Sequence, residues 1–367
     1  MRVPQVLRQT VAELGAELRG LRPRGPRAFA ALRAVAAVAI AVLAAHVLGL
    51  RDAWWSGISA FVVLQADFDT SFYRGVLRIL GTALGALLGY LLGLGLGLHP
   101  VLFTLVVTGI TWGGLHAALT QRHGYAWVLG VATFIMVMCD ALQAPGQLAE
   151  FAVDRLLNVG LGTLACVLVV AATQGRVRAS AARSRMSTVA APAMTQDHRA
   201  AALHALHGAV AVALLGVFAI MYPLGALPQA MVTTIAVLVV PPNPQARAAG
   251  GPVMQRMTQR FAGCLLAGAM AALLLPLIEA RAFWCQLALA GGVWIGAYLQ
   301  QGQGGVRYVA TQFSVAFIMV FVQDRGWAVQ EAAALQRLAG VLVGIAALAL
   351  IVNVVGRLAA VWPRASR

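Results

Sequence analysis

The sequence predicts an all-α membrane protein of about twelve transmembrane helices in two homologous six-helix halves. Three observations predict it. Of 367 residues, 60% are hydrophobic and only 11% charged, with a mean hydropathy of +0.81, whereas soluble domains carry about 25% charged residues. The apolar residues fall into twelve runs, and the arginines cluster in the gaps between them and at the termini. Landmarks of the first half also recur in order in the second.

The recurrence centres on one run. Arg78 opens an apolar segment in which Gly81, Gly85, Gly89, Gly93 and Gly97 follow at intervals of four. On a helix these positions share one face, a smooth ridge that lets another backbone approach. The form R-x-x-[G/N]-x-x-x-[G/A] occurs four times: Arg78 with Gly81 and Gly85, Arg155 with Asn158 and Gly162, Arg260 with Gly263 and Ala267, Arg337 with Gly340 and Gly344. The pairs Arg78/Arg260 and Arg155/Arg337 are both 182 positions apart. Trp112 and Trp294, Tyr125 and Tyr308, and the identical runs Phe134-Ile-Met-Val137 and Phe317-Ile-Met-Val320 keep nearly the same offset. Several landmarks in order at one spacing indicate a duplicated half.

Residues 1–27 contain no apolar run long enough for a signal peptide. Val3, Leu7, Val11, Leu14, Leu18 and Leu21 recur with helical periodicity, which predicts an amphipathic helix lying on membrane lipid. The first repeat, 28–173, holds runs at 34–50, 54–66, 79–98, 101–119, 125–142 and 156–173. The segment 174–202, rich in Ala, Ser and Arg, reads as a linker too short for a soluble domain. The second repeat, 203–357, holds runs at 203–222, 227–240, 261–278, 283–299, 308–322 and 338–355, and a tail covers 358–367. Six spans per half is even, so both halves insert the same way round. The four copies of the motif also admit a nested inverted repeat within each half.

Every basic residue is arginine, and the net charge is +15. The arginines do not form one patch, which argues against nucleic acid. With the N-terminus cytoplasmic, twenty-two of the 27 fall on the cytoplasmic side, leaving Arg51, Arg155, Arg281, Arg325 and Arg337 outside. That bias satisfies the positive-inside rule with both termini, and the linker, in the cytoplasm. Trp54, Trp55, Trp284 and Trp327 then read as an outer interfacial belt.

The second and eighth runs, at 54–66 and 227–240, are too short to cross about 30 Å of hydrocarbon. They end in Gln65-Ala-Asp67 and Pro241-Pro-Asn-Pro244. Paired short spans are the sequence pointer to a transport site, because exposed helix ends hold ions. Arg78 and Arg260 head equivalent helices near these ends. A guanidinium fork matches a carboxylate, so Arg78, Arg260, Gln65 and Asp67 are the candidate residues for a small organic anion. The competing role for the two arginines is a topology anchor on lipid phosphate. Arg155 and Arg337 have Glu150, Asp154 and Glu331 nearby and read as salt-bridged. Asp140, His46 and His116 fall in or at the ends of spans, and are candidates for proton coupling. The four cysteines stand singly, so no disulfide framework, metal site or cofactor is expected. No G-x-S-x-G, H-E-x-x-H, P-loop or paired-carboxylate motif suggests an enzyme. Gly81, Gly85, Gly89 and Gly263 are the candidate helix-packing residues, within a half or between protomers of a homo-oligomer.

The run Asp52-Ala-Trp54-Trp55 through Val62-Val-Leu-Gln65, followed by Arg74 and by Arg78-x-x-Gly81-Thr82-x-x-Gly85, resembles the fusaric acid resistance (FUSC) family. Its relatives are the bacterial aromatic acid exporters and, distantly, the plant aluminium-activated malate transporters. The resemblance covers the first half well and the second more loosely: after Arg260, Cys264 and Ala267 replace the Thr and second Gly. It implies an inner-membrane exporter of aromatic or other organic acids, often working with a periplasmic adaptor protein. A passive organic-anion channel would need the same arginines. A non-transporting scaffold subunit of an export complex is the third reading.

Overall fold

The computed structural model describes residues 3–96, 99–181, 197–222, 225–239, 251–278, 281–302, 305–323 and 331–361. Thirteen α-helices lie within them: α1 (Val3–Arg19), α2 (Pro26–Val47), α3 (Trp54–Val63), α4 (Phe68–Leu96), α5 (Pro100–Thr120), α6 (Gly124–Gln143), α7 (Leu148–Ala181), α8 (His198–Met221), α9 (Leu227–Leu238), α10 (Gly251–Ile278), α11 (Ala282–Gln300), α12 (Val306–Phe321) and α13 (Glu331–Val361). Each of the twelve predicted runs falls on one helix after α1. Nine of these helices, among the described residues, are long and apolar enough to cross a membrane. Most of 174–202, together with Gly97, Pro241–Pro244, Asp324, Arg325 and Trp327, lies outside the described residues.

Leucines cover the outside of the bundle. On α4, Leu80, Leu84, Leu87, Leu88 and Leu91 are exposed while Gly81, Gly85 and Gly89 face inward. An apolar outer face over a packed inner one is what a lipid solvent selects. The chain is a membrane protein.

The halves α2–α7 and α8–α13 use one packing scheme. Within the first, α4 packs on α6 and α7, α7 on α2 and α3, and α5 on α6. The second repeats each contact: α10 on α12 and α13, α13 on α8 and α9, and α11 on α12. Contacts between halves come in matched pairs as well, α5 on α8 with α11 on α2, and α6 on α9 with α12 on α3. The pairing is that of a pseudo-two-fold axis between the halves.

The recurring motif explains the scheme. A Cβ at Gly81 would run into the Ala126 carbonyl oxygen, and one at Gly85 into that of Gly130, both on α6. At Gly89 it would lie 2.8 Å from the Val137 Cβ. On α10, Gly263 presses the Val309 carbonyl of α12 in the same way. The other two copies press the short helices: Gly162 of α7 meets the Ser56 carbonyl of α3, while Gly340 and Gly344 of α13 meet those of Ala226 and Ala230 beside and on α9. Four long helices therefore approach four neighbours backbone to backbone. In each half the pairs α4–α6 and α7–α3 exchange under the order α2-α3-α4 for α5-α6-α7, the pattern of a nested inverted repeat.

The short helices are shorter still than the hydropathy implied. Ten residues of α3 rise about 15 Å, half the hydrocarbon thickness, and α9 has twelve residues. Neither reaches across alone. Residues 64–67 carry the chain from α3 back to the start of α4. Helix α12, at 16 residues, is also short, which the hydropathy reading of paired short spans did not include.

Candidate functional site

Helix α3 ends where Leu64 turns to extended backbone. Asp67 then accepts from the backbone N–H and hydroxyl of Thr70, at 2.9 and 2.8 Å, and so caps α4. From that cap, Arg74 and Arg78 lie one turn apart on the same face of α4. The Arg78 guanidinium donates through Nε to Ser59 on α3 and through NH1 to the Tyr125 hydroxyl on α6, each at 3.0 Å. It is almost fully buried. Arg74 lies over the ring of the same tyrosine, 4.7 Å from its centre.

The second half rebuilds this arrangement at the matching positions. Arg260 is buried and donates to Thr233 on α9 at 3.2 Å and to Gln312 on α12. Arg256 lies over the Tyr308 ring at 4.3 Å. Ser59 and Thr233 are thus equivalent hydroxyls on the short helices, and each takes the arginine of the motif. The copies differ at the tyrosine, since Arg260 turns to Gln312 and leaves the Tyr308 hydroxyl without a hydrogen bond.

A cavity of about 620 Å³ opens between these two constellations. Arg74, Arg256 and Arg307 line it with Gln65, Gln259 and Gln300, and among the described residues its one lining carboxylate is Glu13 of α1. Three guanidinium groups in a half-enclosed space make it a place of positive potential. Gln65 borders the cavity, while Asp67 serves the cap of α4 and does not line it. Arg78 and Arg260 sit one turn further along their helices, behind the lining. Arg74 and Arg256, which do line it, went unnoticed as a pair although they too are 182 positions apart; that spacing, with Tyr125 and Tyr308, was the available signal.

Basic and aromatic groups also meet at the opposite end of α3. Trp54 and Trp55, expected in an interfacial belt, are buried in the core. Arg155 lies 3.2 Å above the Trp55 ring, and Arg337 lies 5.0 Å from the centre of Trp54. The aromatic faces cover cations here, in place of reaching lipid headgroups. Trp284 remains largely exposed. The expected ion pairs are redistributed: Glu150 and Asp154 bind Arg51, while Arg337 approaches Asp52 of the other half at 3.9 Å.

None of the three candidates for proton coupling lines the cavity. His46 Nδ1 lies 2.9 Å from the carbonyl of Val42 in its own turn. His116 stacks between Trp112 and His198 where α5 meets α8. Asp140, in the last turn of α6, is half-buried. The four cysteines are buried and separate, and no group of metal-ligating side chains occurs among the described residues.

Comparison with curated proteins and with solved structures finds no match. A family model described as fusaric acid resistance protein-like matches residues 22–170, the stretch that holds α2 to α6 and most of α7. That stretch, which supplies Gln65, Arg74, Arg78 and Tyr125 to the site, is similar to the fusaric acid resistance protein-like family, and the long apolar helices make the chain a multi-pass membrane protein.

Proposed function

We propose that the protein exports aromatic or other organic acid anions across the bacterial inner membrane, taking them up from the cytoplasm through the cavity between Arg74 and Arg256. The observation that carries this reading is the lining itself: among the described residues, three arginines against one carboxylate. The arginine bias puts that end of the bundle in the cytoplasm, where a substrate for export must enter. A carboxylate arriving there exchanges water for charge-assisted, fork-shaped hydrogen bonds. Arg78 and Arg260 form a second cationic tier behind the lining. Their partners Ser59, Tyr125, Thr233 and Gln312 are neutral, so the charge stays uncompensated by any of them.

Uptake into inverted vesicles of radiolabelled hydroxybenzoate supplied outside, then of a panel of aliphatic acids, tests this. A hydrogen bond to a charged group contributes about 1.5–3 kcal/mol, so Arg74→Gln and Arg256→Gln should each lower transport by about tenfold or more. Arg78→Lys keeps the charge and loses the planar fork. It should insert normally and transport poorly, with Arg260→Lys milder. Wild-type rates in all four would leave the arginines as anchors only. Flux indifferent to an imposed proton gradient would make the protein a channel.

A further inference from the structure

Helix α1 breaks the pseudo-two-fold pattern. It precedes the first half in the chain yet packs on α10 and α12 of the second. The face it turns to the bundle is mixed: Thr10 is buried, Glu13 and Glu17 are half-buried, and between them Leu14 packs on Leu299, Val306 and Ala310. Val11 and Leu18 of its apolar face point away and are exposed. An amphipathic helix normally buries its apolar side against the protein. Here Val11 and Leu18 are left for the membrane surface, while both carboxylates face the protein beside Leu14.

What the acidic side meets is the cationic cavity. Glu13 and Gln9 both line it. Glu13 Oε2 accepts from the Gly305 N–H at 3.2 Å, and the Gln9 amide donates to Glu13 Oε1 at 2.9 Å. The carboxylate is thereby held by one donor of its own helix and one at the residue that precedes α12, in a lining that also carries Arg74, Arg256 and Arg307. The helix is tethered at its far end, where Arg22 N–H donates to the Tyr298 hydroxyl at 3.0 Å and Arg27 pairs with Glu17 at 2.8 Å. Between them Gly25, at φ +113°, takes a backbone conformation that other residues rarely adopt.

We propose that α1 is an autoinhibitory lid, with Glu13 held in the mouth of the cavity as an internal competitor for the substrate's carboxylate. This rests on the anion-export reading. The tether makes the competition intramolecular, at an effective concentration of about a millimolar or more. Substrate therefore binds by displacing Glu13, and α1 swings away about the 20–25 connection onto the membrane, where Val11 and Leu18 find lipid. An excess of substrate opens its own entrance.

The test reads opening apart from transport. Thr311 lines the cavity behind α1, and the native cysteines are all buried, so Thr311→Cys supplies a single reporter for a membrane-impermeant maleimide in the full chain. Glu13→Gln keeps a side-chain oxygen for the Gly305 N–H but removes the charge. It should speed labelling of the reporter at least threefold without substrate, and lower the transport KM by about threefold or more with little change in kcat. Hydroxybenzoate should speed labelling in the parent and have less effect in Glu13→Gln. Unchanged labelling in Glu13→Gln overturns the lid, whatever the transport assay gives. Faster labelling in a protein that moves no acid anion would keep the lid and sink the export reading instead.

Discussion

At the scale of single residues, what decides a position is whether its neighbour is backbone or lipid. Gly85 and Gly109 are both helical glycines in apolar runs. A side chain at Gly85 would meet the Gly130 carbonyl, which cannot give way, whereas nothing lies within 4 Å of one at Gly109. Gly85→Leu should therefore cost more than about 3 kcal/mol and abolish a monodisperse folded species, the overpacking case at its most severe. Gly109→Leu should stay within about 0.5 kcal/mol. Size-exclusion profiles and thermal unfolding in detergent distinguish the two. Spacing alone marked the Gly81-Gly85-Gly89 ridge, because a period of four on a helix is a face. Which helix the ridge touches was not legible, since α6 lies some forty residues away in sequence.

At the scale of elements, the short helices α3 and α9 are the framework on which the arginines converge. Along α3, Trp55 carries Arg155 and Ser59 carries Arg78; along α9, Thr233 carries Arg260. Hydropathy showed that these segments were too short to cross, and the Trp-Trp pair suggested lipid contact. Burial of Trp54 and Trp55 has a direct physical reason: a half-length helix enclosed by four longer ones has no free face to offer lipid. The Trp55 ring is the cover for a buried guanidinium whose Nε and NH1 make no hydrogen bond. Trp55→Leu should destabilise the protein by about 2 kcal/mol or more, seen as a lower Tm. Trp284→Leu, on an exposed ring, should do little. Adding Arg155→Leu to Trp55→Leu should recover part of the loss, because the uncovered charge goes with it.

At the scale of the whole molecule, matched contacts in the two halves and between them make one pseudo-symmetric bundle, and α1 alone lacks a counterpart among the described residues. Two equivalent half-sites then face each other across one cavity. The orientation expected from the arginine bias is open to a direct test. Reporter fusions at residues 123 and 185 should report cytoplasm, and fusions at 99 and 281 the opposite side. A periplasmic signal at 185 would invert the direction assigned to the cavity.

The sequence by itself determined the class, the duplication and the candidate cations. Each of these is written locally: composition answers to the solvent, spacing to the helical period, and arginine placement to the membrane potential and its lipids. Only the tertiary structure decided that the motif glycines press carbonyls within a half, that Glu150 and Asp154 serve Arg51, and that Arg74, Arg256 and Arg307 share a cavity with Glu13. Those facts depend on which helices become neighbours. Neighbours are chosen by packing among twelve similar apolar helices, and their surfaces differ by a few small side chains that no single stretch of sequence reveals.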